Sequence, residues 1–411
     1  MFWVVRIFST GLRGGGSPQQ TGTYVWRSNP PADIPFAPSQ ELTGIAFTGR
    51  HANYGNADTW FPSWASNGNL YSPWTDGTVN GVSSNSSTLG GGKATTGYAT
   101  IIGDDPLHLT ITNVGIYPAS PLPYEGRYPA GSLVYDGVWF YGTYCLEQTP
   151  GKGLNWDILG PFVGFRYSTD YGQTWHESPH NPEHPLFSEP VKMGDPVKLG
   201  LPHFVDFGKN MEYSPDGKAY IVSQGAIEPG PKPRDANLSW ITGDQIYLAR
   251  VRPRIRTINR RSEYEYFAGH DLQGHALWTR DSSKIQPLVD WNNHTGNVSV
   301  TYDAPLKKYL MAITDGGNTI SKYNTYILES SKITGQWRLV DYMRNFGEQA
   351  YFVNIPSKFI SKDGRTLWLS YSANFTNGWL HTNYKSNPPG SDYGWTLQEV
   401  RLLGSATSEG H

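Results

Sequence analysis

Apolar and polar positions alternate in short runs along this chain, and each run is broken by a tight Asp, Asn or Gly turn. The pattern recurs as SNGNLY (66–71), VYDGVWFYGTY (134–144), YSTDYGQTW (167–175), YSPDGKAYIVSQG (213–225), YDAPLKKYLMAIT (302–314) and SKDGRTLWLSYS (361–372). A period of two around a turn that tolerates positive φ is the signature of a β-hairpin. No run longer than about ten residues keeps the 3.6-residue apolar period of a helix. The expected fold is therefore all-β. The hairpins recur at intervals of about 35 to 90 residues, which suits four-stranded antiparallel blades of about 50 to 60 residues each. A β-sandwich would use the same hairpins, but a near-regular repeat over the whole length favours a β-propeller. Dividing the chain predicts six or seven blades, with seven the expected count and five the alternative. Residues 36–400 form the single expected propeller domain, after an irregular segment 1–35 and before a tail, 401–411.

Composition agrees with a turn-rich β protein: among 411 residues there are 46 Gly, 30 Pro, 15 Trp and 26 Tyr, and only 17% are charged. A net charge of −2 leaves no basic footprint for nucleic acid and no polybasic membrane patch. An acidic ligand would have to be held by a local cluster of Arg or His. Cys145 is the single cysteine, so an internal disulfide and a CxxC metal site are excluded, and a small buried hydrophobe is the expected role. The Asn-x-Ser/Thr sequons at Asn85, Asn237, Asn293, Asn297 and Asn374 point weakly to a secreted or extracellular protein. The start, MFWVVRIFSTGLRGGGSPQQ, is interrupted by Arg6 and is too short for a signal-peptide core. No run approaches the ~20 apolar residues of a membrane helix. A monomer with a glycan partner is the expectation.

Candidate chemistry concentrates in FTGRHANYGNADTWFPSWASNGNLYSPWTDG (47–77), where His51 precedes the rings of Trp60, Trp64, Tyr71 and Trp74. Such rings stack on sugar C–H faces or fill the gaps between blades. One or two of them are expected at a binding site, with Trp60 and Trp74 the candidates and the rest in the core. His51 lies in a polar Gly/Asn-rich stretch, an unusual place for a core histidine. Arg127 in YEGRYPAG and His294 in WNNHTGN sit in loops of the kind that rim a propeller face, while His203 in LPHFVDFGKNMEYS is followed by Asn210 and Glu212 at spacings that can re-enter a central cavity. His203, Asp206, Asn210 and Glu212 together offer the imidazole and oxygen donors that calcium or zinc takes. They form no compact metal motif, and no metal ligand is assigned.

YSTDYGQTW matches the Ser-x-Asp-x-Gly-x-Thr-Trp Asp-box of sialidase-like propellers, with Asp170 holding the turn, Gly172 supplying positive φ and Trp175 packing between blades. DTWFPSWASNGNLYSPWTDG, VGFRYSTDYGQTW, GLPHFVDFGKNMEYSPDGKAYIV, YEYFAG, VTYDAPLKKYLM and FGEQAYFVNIPSKFISKDGRTLWLSYSANF together resemble a group of propeller carbohydrate-active enzymes. That group comprises rhamnose-glucuronate lyases, propeller ulvan lyases and a related exo-rhamnosidase family. The resemblance runs over roughly residues 40 to 375 and implies a polysaccharide lyase that cleaves a rhamnose-glucuronate linkage by β-elimination at a uronic acid. Two alternatives stay open: an exo-acting glycoside hydrolase of rhamnosidase or sialidase type, and a non-catalytic glycan-binding propeller. A sialidase needs an Arg cluster and a Phe-Arg-Ile-Pro-like segment, for which VVRIFS is a poor substitute.

Elimination requires a cation for the uronate carboxylate, a base for the C5 proton and an acid for the leaving sugar. The resemblance casts His51 as base and places Tyr71 where relatives keep a second His. It matches Tyr144 and Arg166 to the family's Tyr and Arg, and Arg suits a carboxylate because its fork binds bidentately. The implied catalytic set is His51, Tyr71, Tyr144, Arg166 and His203, with Arg127, Trp60, Trp74, Asn210 and His294 binding substrate.

Overall fold

In the computed structural model, residues 22–151, 156–226, 239–317, 319–377 and 383–404 are described. Asn237 and the segments 1–21 and 405–411 lie outside them. The regular structure is strand, with only three-residue 3-10 turns between, and it forms five antiparallel sheets that follow one another around a common axis. Blade 1 is built on Leu70–Val79, Thr95–Ile102 and Thr110–Pro118, with the short strands Asn56–Asp58 and Ser63–Trp64 on its inner side. Blade 2 is Gly126–Tyr135, Val138–Glu147 and Ile158–Ser168. Blade 3 runs from His203–Phe204 through Ala219–Gly225 and Gln245–Val251 to outer strands ending at Pro287–Asp290. Blade 4 takes Val298–Asp303, Lys308–Asp315, Asn324–Ser330 and Arg338–Met343.

Blade 5 closes the ring. Tyr351–Asn354, Thr366–Ser372 and Trp395–Gly404 come from the end of the chain, and Leu42–Tyr54 from its start pairs with Trp395–Gly404, Phe47 opposite Val400 and Tyr54 opposite Trp395. Joining the two ends in one sheet leaves no radial gap between the last blade and the first, and it covers edges that would otherwise offer unpaired backbone groups.

The expected seven blades are thus corrected to five. Division by a standard blade length overcounts because blade 3 carries the additional strands Glu265–His270, Ala276–Thr279 and Pro287–Asp290, and the blades hold from three to six strands. Blade 5 is also assembled from segments some 300 residues apart, a pairing with no local signal.

The hairpin at 167–175 is held by its own side chains. Asp170 Oδ1 accepts from Ser168 Oγ at 2.7 Å and from the Thr174 N–H at 2.9 Å, and Gly172 has φ 94°. These Thr174 and Ser168 bonds draw the Asp170 carboxyl down to about 2. Trp175 then inserts between Tyr98 of blade 1 and Trp139 of blade 2, with ring centroids 5.1 and 5.3 Å away. Cys145 is fully buried and burial pushes its thiol up to about 12, so it behaves as a hydrophobe. The sequon residues Asn297 and Asn374 are both buried.

Candidate active site

The first turn of blade 1 carries two carboxylates to one place. Asn56–Asp58 pairs antiparallel with Leu70–Val79, with Asp58 opposite Thr75 and Asn56 opposite Thr78, so Asp76 follows directly on Asp58's cross-strand partner. The two strands approach closely at Gly77, where a Cβ would come within 1.8 Å of the Asn56 carbonyl oxygen. Only glycine permits that approach.

Asp58 is 4% exposed. Its Oδ1 accepts from Thr59 Oγ1 and its Oδ2 from the Tyr351 hydroxyl, both at 2.8 Å. Burial, then the neighbouring Asp76 charge, raise its proton affinity well above the carboxylate range, and the Tyr351, Thr59 and Tyr393 hydroxyls offset this only in part. Asp76 is pushed up to about 6 by burial, opposed by the Ser86 N–H at 2.8 Å and the Thr75 hydroxyl at 3.3 Å. The pair therefore exchanges protons as a unit, with Asp58 the stronger holder. A pair in which one carboxyl holds its proton more tightly than the other can divide acid and base roles between its members.

Asp76 faces a cavity of about 900 Å³ that opens between blades 1, 2 and 5, and it also lines a narrower recess that ends at Asp58. The recess is walled by Tyr128 and Tyr144 of blade 2, Trp156, Trp240, Phe352 and Phe375. Asn85, Ser87, Thr95, Asn374 and Asn377 give the wider part a neutral hydrogen-bonding lining. Of the ionisable groups lining these spaces among the described residues, Asp58, Asp76 and Asp392 are acidic and Lys93 alone is basic. With Asp58 holding its proton, Asp76 and Asp392 set against Lys93 leave the formal charge of the lining slightly negative.

Backbone strain gathers at the same place. Thr59, Asp76, Trp156, Phe352 and Asn374 all have left-handed backbones, with φ of 64°, 47°, 50°, 55° and 55°. Non-glycine residues in that region cost energy, and their concentration around one cavity marks a site whose surroundings impose the geometry.

Of the residues singled out from the sequence, Tyr144 stands on the recess wall. The others sit elsewhere. His51 lies on the strand Leu42–Tyr54 of blade 5, its Nδ1 3.1 Å from the Gly49 carbonyl and its ring against Gly390. Tyr71 is buried between Tyr171 and Trp139, centroids 5.0 and 5.3 Å away. Arg166 is caged by Tyr141, Tyr117 and Trp175, its guanidinium carbon 4.0, 4.6 and 5.0 Å from their centroids. Its Nη2 donates to Thr96 Oγ1 at 2.6 Å, and burial depresses its basicity. Arg127 donates to Thr143 and Glu177. Trp60 stacks on Trp395 at 5.8 Å, and Trp74 packs over Gly97 in the blade 1 core. His294 stacks on Trp291 and bonds Asp315 at 2.8 Å.

His203 does reach the axis, stacked on Phe61 with centroids 3.8 Å apart, and burial draws its imidazole down to about 3. It lines a separate small cavity with Asp206, Ser299 and Thr301. Asp206 is occupied by Gly208 and Ser357, and Asn210 accepts from the Asp136 N–H. Among the described residues no group of three or more His, Cys, Asp or Glu is placed to hold a metal.

Asp58 and Asp76 were overlooked because each stands in a segment that reads as a turn, NADTW and WTDG. The available signal was a pair of aspartates on either side of one short hairpin.

No protein-family model and no curated protein matches the chain. Similar solved structures include a putative hydrolase from Bacteroides ovatus, at 12% identity over 92% of this chain and 96% of that one, with a TM-score of 0.48. A GH43_1 enzyme from Xanthomonas citri matches at 12% identity over 87% and 91%, TM-score 0.46. A family 117 glycoside hydrolase from Zobellia galactanivorans matches at 10% identity over 88% and 91%, TM-score 0.42.

Proposed function

We propose that the protein is a glycoside hydrolase acting on a neutral sugar residue, with Asp58 as general acid and Asp76 as the carboxylate that supports attack at the anomeric carbon. The observation that carries this is the buried Asp58–Asp76 pair at the floor of an aromatic-walled cavity. Glycoside hydrolysis needs one carboxyl that keeps its proton and one that has lost it, on either side of the scissile bond. In the reaction the bond between the anomeric carbon and the leaving oxygen breaks, and that oxygen takes the Asp58 proton. Water supplies the new anomeric hydroxyl and its remaining proton restores the acid. Developing positive charge at the anomeric centre is favoured by ionised Asp76 and by the slightly negative lining of the cavity.

The same lining argues against elimination at a uronate. A uronate carboxylate would enter a space lined by three aspartates and one lysine, without an arginine fork among the described lining residues. Hydrolysis of a neutral glycoside is the better fit, and the wide cavity of about 900 Å³ is the space that would take the sugar.

The test is product analysis on 4-nitrophenyl glycosides of xylose, arabinofuranose, galactose and rhamnose, with a rhamnose-capped glucuronate glycan alongside. Release of nitrophenol and reducing sugar supports hydrolysis. Appearance of a 4,5-unsaturated uronate instead would establish the lyase, and binding of glycan without product would establish a lectin.

A further inference from the structure

The net charge of −2 conceals one concentrated run of cations. Six of the chain's eighteen arginines fall within residues 250–261. Arg250 is spent inside blade 3, where it meets Glu265 at 2.7 Å and Asp216 at 3.3 Å. Arg252, Arg254, Arg256, Arg260 and Arg261 are all exposed. Arg261 donates to Ser282 Oγ at 2.6 Å, and among the described residues the other four form no ion pair. Glu263 is the one acid between Val251 and Tyr264.

The loop that carries these arginines is held in place. Thr257 Oγ1 donates to the Arg252 and Arg254 carbonyls at 2.6 and 3.1 Å, and the Thr257 and Ile258 N–H groups both donate to the Arg254 carbonyl. Ile258 is fully buried, and Asn259 is tied to the edge strand of blade 2, accepting from the Phe165 N–H at 2.9 Å and donating to the Phe165 carbonyl at 2.6 Å. The backbone is thus ordered before any ligand arrives. Like charges gathered without counter-charges repel one another, and joining two strands does not call for them.

Their position separates them from the carboxylate pair. Gln245–Val251 starts shortly after Trp240 of the recess wall and ends about 20 Å further along the strand. Ile158–Ser168 of blade 2 starts beside Trp156 of the same wall, so Phe165 lies towards its far end. The arginines therefore stand at the strand ends away from the cavity and leave its mouth open.

We propose that the loop 252–261 is a docking surface for an anionic polysaccharide, whose sulfate or carboxylate groups the guanidinium forks clasp while the cavity at the other ends of the strands acts on a sugar. A fork meets either oxyanion bidentately. The segment 252–263 holds no aromatic ring on which a nucleic-acid base would stack, and a net charge of −2 opposes a long polyphosphate. The choice of a polysaccharide among polyanions rests on the glycosidase reading; the docking itself does not.

The experiment is binding of the full chain, by calorimetry at 50 and 200 mM NaCl, to dextran sulfate and to polygalacturonate, with neutral dextran and double-stranded DNA alongside. No turnover is needed. The wild type is expected to bind at least one of the two anionic polysaccharides, about tenfold or more weakly at the higher salt, and the two arms tell sulfate from carboxylate. Combined Arg252→Gln, Arg254→Gln and Arg256→Gln should weaken binding about tenfold while keeping the wild-type Tm. Combined Lys192→Gln, Lys362→Gln and Lys385→Gln, which removes the same charge from scattered exposed positions, should bind as the wild type does. The proposal is overturned if neither anionic polysaccharide binds, if salt leaves the binding unchanged, if neutral dextran or DNA is held as tightly, or if the arginine variant binds no more weakly than the lysine variant. Binding that depends on the arginines in a protein that hydrolyses no glycoside would uphold the docking surface and defeat the hydrolase reading instead.

Discussion

Tyr351, on the inner strand of blade 5, donates its hydroxyl hydrogen to Asp58 Oδ2 of blade 1 at 2.8 Å. The bond spans the closure of the ring, so the geometry of the acid depends on the two ends of the chain having met. Removing it with Tyr351→Phe takes away a contact that lowers the Asp58 proton affinity. The alkaline limb of the kcat/KM profile, where Asp58 loses its proton, should therefore move to higher pH, with kcat reduced about tenfold or more by loss of orientation. An unchanged profile would show that Tyr351 only fills space.

Asp76 sets the acid limb. Its carboxyl is pushed up to about 6, and attack requires it ionised, so activity should rise as pH increases through about 6. Asp76→Asn should remove that limb together with most of the activity. Measurement of kcat/KM from pH 4 to 9 checks the position.

Gly77→Ala probes how the carboxylates are brought together. A Cβ there would sit 1.8 Å from the Asn56 carbonyl oxygen and 2.6 Å from the Ala57 Cα, both backbone atoms that cannot rotate aside. The strand pair must part, and a loss of about 2 kcal/mol or more in urea unfolding is expected along with most of the activity. Ala at Gly81, where a Cβ meets nothing within 4 Å, is the control for a nearby glycine, although its φ of 80° carries its own strain cost.

Stability should also depend on pH. Burial pushes Asp303 up to about 6 and Asp341 up to about 7. Each binds its proton more tightly in the folded chain than in the unfolded one, where a carboxyl titrates near 3.9. Their contribution is therefore full below about pH 4 and is lost as pH rises through 6 and 7. The Tm should be higher at pH 5 than at pH 8. A Tm that climbs steadily from pH 5 to pH 8 would contradict this.

The all-β character and the individual hairpins were legible because they are local: alternation and an Asp-Gly or Asn-Gly turn lie within a dozen residues. The 167–175 turn shows this best, since Ser168, Asp170, Gly172 and Thr174 satisfy one another without outside help. Blade number was not legible, because Leu42–Tyr54 pairs with Trp395–Gly404 across almost the whole chain. Site residues were hidden for a related reason. Asp58 and Asp76 gain their raised proton affinities from burial, and Asp58 also from the Asp76 charge, against the opposing bonds from Tyr351 and Ser86, while alone in sequence they are ordinary turn aspartates. Trp60 and Trp74 show the converse: conspicuous rings in a list of residues, they are spent on core packing.

The carboxylate pair is the central claim, and substitution of each member tests it most directly. Asp58→Asn and Asp76→Asn should fold with a Tm near that of the wild type and lower kcat/KM on the best 4-nitrophenyl glycoside by about 10²- to 10⁴-fold, the usual weight of an acid or base. Folded variants that hydrolyse the glycoside at the wild-type rate would contradict the account.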